Sequence, residues 1–208
     1  MPDAANARVT NWIAVFTALA WMLVALMGDG DRFAVAAGFI PLRLTEGLDL
    51  PGAWPVWTTP LSATLIHAGL VHLAFNLLMF VYCGRFVEQV IGGAGSAVLY
   101  VAGAYGAAAA HWAVDPGSTV PMIGASGAMS ATIGAYAVFF SRAKVRAIGP
   151  LSPFVVRVLW LAAAWIFVQS LLGLSAAGGR IAIAAHIGGF ITGLALARPL
   201  LMWRYRNA

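Results

Sequence analysis

Residues 122–140 read Met-Ile-Gly-Ala-Ser-Gly-Ala-Met-Ser-Ala-Thr-Ile-Gly-Ala-Tyr-Ala-Val-Phe-Phe, with no charge anywhere in the run. A helix rising 1.5 Å per residue needs about 20 such residues to cross the hydrocarbon core of a bilayer. Five more long, predominantly apolar stretches lie at about 11–27, 61–82, 96–113, 154–173 and 181–200. Together they use most of the 208 residues and leave no room for a separate soluble domain. The chain is 62% hydrophobic and only 9% charged, against roughly 25% charged in soluble domains. The expected architecture is an all-α membrane protein, a six-transmembrane-helix bundle forming one domain over residues 1–208, with a long outer loop at 28–60.

Charge fixes the expected orientation. The net charge is +5, but the basic residues are scattered and form no groove of the kind a nucleic acid requires, so no nucleic-acid partner is expected. With both termini in the cytoplasm, Arg8, Arg85, Arg142, Lys144, Arg146, Arg157, Arg198, Arg204 and Arg206 fall inside, and only Arg32, Arg43 and Arg180 outside. Lys and Arg near the span ends, not net charge, set topology. Cys83 is the single cysteine, which excludes an intramolecular disulfide and any cysteine cluster for a metal.

The first apolar segment is too long for a signal-peptide core, and Asp3 weakens its positive flank, so it reads as an uncleaved helix. Gly28-Asp29-Gly30-Asp31 follows. This string satisfies the Gly-x-Gly-Asp pattern of intramembrane aspartyl proteases, yet no Tyr-Asp pair supplies the second carboxylate, and a solvated turn is the expected role. Trp54 and Trp57 in the long loop suit the headgroup layer. Glu88 and Arg85, near the end of the second span, are expected to form a local ion pair at the cytoplasmic rim.

Polar groups inside apolar segments are few and grouped. His72 and Asn76, four apart, share a face of the second helix. His67, five residues before His72, falls about 140° away around that helix and is read, with His111, as interfacial. Ser126, Ser130 and Gly134 recur at steps of four in the fourth segment. His186, Gly189 and Gly193 line the sixth, and small faces of this kind let helices approach closely. Ser126 and His186 both lie under about 10 Å from the outer side at 1.5 Å per residue, so packing of helices four and six allows the hydroxyl and imidazole to meet. That is the minimum geometry for a nucleophile and its base. Every carboxylate lies in a loop or at a rim, so the pair is expected to work without a third member. A buried imidazole stays neutral, the form a base needs.

Three segments carry a resemblance. His72-Leu73-Ala74-Phe75-Asn76, Gly124-Ala125-Ser126-Gly127 and Ala185-His186-Ile187-Gly188-Gly189-Phe190-Ile191-Thr192-Gly193 resemble, in order and in helix placement, the signature segments of the rhomboid family of intramembrane serine proteases. The resemblance covers nearly all of the chain from about residue 54. It implies Ser126 as nucleophile, His186 as general base, and His72 and Asn76 in the oxyanion hole. Gly124, Gly127, Ser130, Gly134, Gly189 and Gly193 are then packing residues beside the site. It also implies transmembrane protein substrates cut near the outer face of the lipid bilayer, in a bacterial inner membrane. One position departs from the pattern: some rhomboids carry at position 130 a tyrosine that packs on the base, and here it is Ser130.

Other classes fit less well. A zinc protease needs a His-Glu-x-x-His pair, which is missing, so no metal and no other cofactor is expected. A transporter predicts broken helices about a midplane site and internal repeats, whereas the polar groups here gather towards one side. Two alternatives stay open: a catalytically inactive rhomboid-like protein that binds or escorts membrane helices, and a sortase-like processing rhomboid.

Overall fold

A computed structural model describes residues 7–140, 145–175 and 183–206; Arg142, Lys144 and Arg180 of the charge argument lie outside the described residues. The described chain is helical, with two isolated β-bridges, Phe39 with Met122 and Ile148 with Leu151. In order the helices are α1 (Arg8–Met27), α2 (Gly30–Ala37), α3 (Pro41–Glu46), α4 (Thr59–Ser62), α5 (Leu70–Val114), α6 (Ser126–Phe140), α7 (Pro153–Ser175) and α8 (Ile183–Arg204). Among the described residues α1, α5 and α8 are long and apolar enough to cross a membrane, and Ser126–Phe140 and Pro153–Phe167 are shorter apolar helices.

Helix α5 is one hydrogen-bonded element of 45 residues with a break inside it. Gly92 has φ 76° and ψ 167° there, a left-handed conformation that a side chain would strain. The apolar stretches at 61–82 and 96–113 leave a gap between them, but helix runs through it to Ile91 and resumes directly after Gly92. Arg204 in the last turn of α8 donates to the carbonyl of Gln89, supplying a partner where the break interrupts the helical ladder. Buried residues before the break recur as Leu73, Asn76, Phe80, Cys83, Gly84, Val87, Glu88 and Ile91, one helical stripe facing the other elements.

Two further expectations are corrected. The second helix does not begin at residue 61: residues 59–65 form short helical turns, Ile66 is extended (φ −96°, ψ 130°), and α5 starts only at Leu70. The 28–60 segment is not plain loop either, since α2, α3 and a 3-10 turn at Val56–Thr58 lie within it. The buried Arg43 guanidinium donates to the carbonyls of Trp54 (2.9 Å) and Leu48 (3.4 Å), holding this segment on itself.

Helix α1 is inside-out by the standards of a soluble protein. Its buried face carries Thr10, Ala14 and Thr17, and its exposed face Trp12, Phe16, Leu19, Leu23 and Leu26. An apolar surface of that extent needs an apolar solvent, here the lipid. Glu88 does not pair with Arg85. Its carboxylate is buried and accepts from the Val9 N–H (3.0 Å), the Thr10 N–H (2.7 Å) and the Thr10 hydroxyl (2.7 Å), satisfying the open N–H groups at the start of α1. Arg85 donates instead to the Asn11 side-chain oxygen, 2.9 Å away.

Candidate active site

Ser126 is the first residue of α6, and the chain leading to it is fastened on both sides. Phe39 and Met122 exchange backbone hydrogen bonds of 3.0 and 2.8 Å, Leu42 donates to the Ser118 carbonyl at 3.0 Å, and Gly124 donates to the Ala63 carbonyl at 2.9 Å. Residues 39–63 thus serve as a splint for residues 118–124. Gly124 has φ 106°, and a Cβ there would sit 2.8 Å from Cε1 of His72. Only glycine combines that backbone with so close an imidazole.

The next residue is held by a histidine. The Ala125 N–H donates to Nε2 of His67 at 3.3 Å. His67 lies in the non-helical link before α5, and burial first, then the neighbouring His72, lowers its pKa from 6.5 to about 3. The ring is therefore neutral, and Nε2 offers the lone pair the amide needs. The His67 and His72 rings stand edge to face with centroids 5.0 Å apart.

Helix α8 brings the imidazole. Nε2 of His186 lies 2.8 Å from Oγ of Ser126, and both residues are buried. With the ring proton on Nδ1, Nε2 accepts from the serine hydroxyl. Nδ1 is buried and has no hydrogen-bond partner among the described residues. The two helices come close enough for this because glycine lines their contact. A Cβ on Gly189 would press on the Gly127 carbonyl and lie 3.1 Å from the Ser130 Cβ. One on Gly193 would lie 2.8 Å from the Ala131 Cα, and one on Gly134 would strike the Phe190 carbonyl. Gly127 turns another way: a Cβ there would lie 2.5 Å from the Ala107 Cβ on α5.

His72 and Asn76 stand on the same side of α5, one turn apart. His72 is half-buried with its ring over Gly124, while Asn76 is fully buried. The Asn76 side-chain N–H donates to the His72 carbonyl at 2.9 Å, and its Oδ1 is buried without a partner among the described residues. Asn76 thus spends one donor on its own helix, and the other N–H of the amide is the one left for a ligand.

Two neighbours of the candidate site escape a reading from sequence. His67, read from the sequence as part of the second helix, lies ahead of α5 and meets the Ala125 N–H instead. Trp165, on a helix to which the sequence assigned no chemistry, is buried. Its indole N–H donates to Oγ of Ser130 (2.7 Å), its ring stacks on Phe75 at 5.9 Å, and its centroid lies 6.5 Å from that of His186. A tryptophan inside an apolar helix is the signal the sequence offers for it. Among the described residues no group of three or more His, Cys, Asp or Glu side chains is arranged to hold a metal ion.

Comparison with known proteins agrees with the three-segment resemblance. The family model described as the rhomboid domain matches residues 54–203. The chain is 34% identical over 137 residues to the rhomboid protease GlpG of Serratia proteamaculans (strain 568), covering 65% of this chain and 45% of that protein. It is 32% identical over 165 residues to the proteins of the same name from Yersinia pestis (strain Pestoides F) and Yersinia enterocolitica, covering 75% of this chain and 54% of each. The chain spans about half the length of the curated relatives it matches. With the matched domain taking in all three signature segments, this chain is a member of the rhomboid family.

Proposed function

We propose that this protein is an intramembrane serine endopeptidase that hydrolyses peptide bonds of transmembrane proteins through a Ser126–His186 dyad. The observation that carries the reading is the 2.8 Å approach of Nε2 of His186 to Oγ of Ser126 across the α6–α8 contact. In the first step Oγ attacks the scissile carbonyl while Nε2 takes the hydroxyl proton. The imidazolium then gives that proton to the leaving amine as the C–N bond breaks, leaving an acyl-enzyme. Water attacks the ester in the second step, with His186 again taking and returning a proton.

The oxyanion formed in both steps needs donors placed in advance. The reading assigns this to His72, whose ring overlies Gly124, to the second N–H of the Asn76 amide, and to the backbone N–H of Ser126. First-turn N–H groups of a helix have no intrahelical acceptor and carry partial positive charge. Gly124, Gly127, Ser130, Gly134, Gly189 and Gly193 act by letting backbones approach.

In this reading the break at Gly92 divides α5 into two spans, which gives six in one domain. Both termini are cytoplasmic, and the site opens to the outer side of a bacterial inner membrane. No cofactor takes part. Cleavage of a transmembrane test substrate in liposomes decides between this enzyme and an escort protein of the same fold. The wild type cleaves, and Ser126→Ala and His186→Ala fall to background while keeping their unfolding temperatures. A Ser126→Ala protein that cleaves at the wild-type rate refutes the nucleophile; a wild type that binds the substrate without cutting it supports the escort.

A further inference from the structure

We infer that Trp165 and Ser130 together are positioning residues for the base, taking the place of the carboxylate that His186 lacks. The inference rests on the dyad reading above. An imidazole bonded to a serine through one nitrogen can still swing about that bond and about its own χ angles. In a triad a carboxylate on the other nitrogen removes this freedom. Here Nδ1 of His186 is buried with no hydrogen-bond partner among the described residues, so orientation has to come from what packs against the ring.

The indole of Trp165 is that packing partner. Its centroid lies 6.5 Å from the imidazole centroid, with the rings tilted by 59°, within the range of favourable aromatic contact. The indole is itself fixed on two further sides. Phe75 stacks on it at 5.9 Å and 16°, and Phe75 immediately precedes Asn76 on α5. Its N–H donates to Oγ of Ser130 at 2.7 Å, and the Ser130 hydroxyl donates in turn to the Ser126 carbonyl at 2.7 Å. Ser130 is fully buried and Trp165 nearly so, so neither bond competes with water. A serine at position 130 is therefore no vacancy in the pattern. The hydroxyl is small enough to admit an aromatic ring from α7, and polar enough to fix its register against α6. Trp165 thus touches the base with its ring while its N–H leads, through one hydroxyl, to the main chain of the nucleophile.

The test measures kcat and KM on a transmembrane substrate and, separately, the rate at which a small fluorophosphonate inactivates the protein in detergent. The small reagent needs an aligned dyad but no docking of a substrate helix, so it separates alignment from admission of substrate. Trp165→Ala is expected to lower kcat and the inactivation rate together by about 10–100-fold, the scale on which misplaced catalytic groups lose rate, with KM within about twofold. Trp165→Phe, which keeps a ring and loses the N–H, is expected to lose less. Combining it with Ser130→Ala should cost no more than Ser130→Ala alone, since both remove the same bond. Inactivation of Trp165→Ala at the wild-type rate, or a change confined to KM, overturns the inference. So do Trp165→Phe and Ser130→Ala losses that simply multiply. If Trp165→Ala fails to fold, the phenylalanine and Ser130→Ala variants decide the question by themselves. A Ser126→Ala protein that still cleaves strikes the dyad reading instead, a result distinct from any of these.

Discussion

Gly189→Ala isolates the α6–α8 approach on which the site depends. The glycine lies three residues after His186, and a Cβ built on it meets backbone and a short, fully buried side chain rather than a flexible tip. The Gly127 carbonyl carbon would be 3.0 Å away, the Ser130 Cβ 3.1 Å, and the Gly127 oxygen nearer still. Ordinary carbon contacts begin near 3.4 Å, and the carbonyl oxygen sets the larger demand, so the helices must part locally by on the order of 1 Å. The dyad contact, 2.8 Å in this structure, would lengthen to about 3.8 Å, past the limit of a hydrogen bond. A misplacement of that size costs about 100-fold in rate. The assay is kcat on a transmembrane substrate in liposomes, with the fluorophosphonate inactivation rate beside it. Gly30→Ala is the control, because a Cβ there meets nothing within 4 Å, and it should stay within about twofold of wild type. A Gly189→Ala protein as active as Gly30→Ala would refute the claim that backbone contact between these helices aligns the dyad.

Two other outcomes follow from the structure. Glu88→Ala removes a carboxylate bonded to Val9 and Thr10 and leaves buried donors open, so it should lower stability by about 3 kcal/mol, read as a clear drop in the detergent unfolding midpoint. An unchanged midpoint would show that the start of α1 does not depend on it. His67 has a folded pKa near 3, below its ordinary 6.5. Its neutral form therefore supports the fold fully above about pH 6.5, and that support is lost as pH falls towards 3. His67→Gln should flatten this part of the stability profile; an identical acid limb in both proteins would contradict the assignment.

Long apolar helices are legible because lipid asks only for long apolar runs, and among the described residues α1, α5 and α8 are long and apolar enough to cross. The small faces of α6 and α8 were legible because helical spacing puts Ser126, Ser130 and Gly134, and likewise His186, Gly189 and Gly193, on common sides. What escaped was set by contacts between distant parts of the chain. Glu88 reads as a neighbour of Arg85, three residues away, whereas its partners Val9 and Thr10 lie 79 and 78 residues off. His67 escapes because an apolar run does not announce that residues 66–69 are non-helical, and the extended Ile66 sets the histidine against Ala125. Trp165 looks like any other tryptophan in an apolar helix until the fold sets it against Ser130. The break in α5 rests on the conformation of Gly92 in a stretch with several glycines, and sequence alone does not say which of them turns.

The central claim is that Ser126 is activated by His186. Its most direct test is mass-spectrometric mapping of a fluorophosphonate adduct on the purified protein, wild type beside His186→Ala. A single adduct is expected on Ser126 in the wild type and essentially none in His186→Ala. A wild type that stays unlabelled at Ser126, or a His186→Ala protein labelled just as fast, would contradict it.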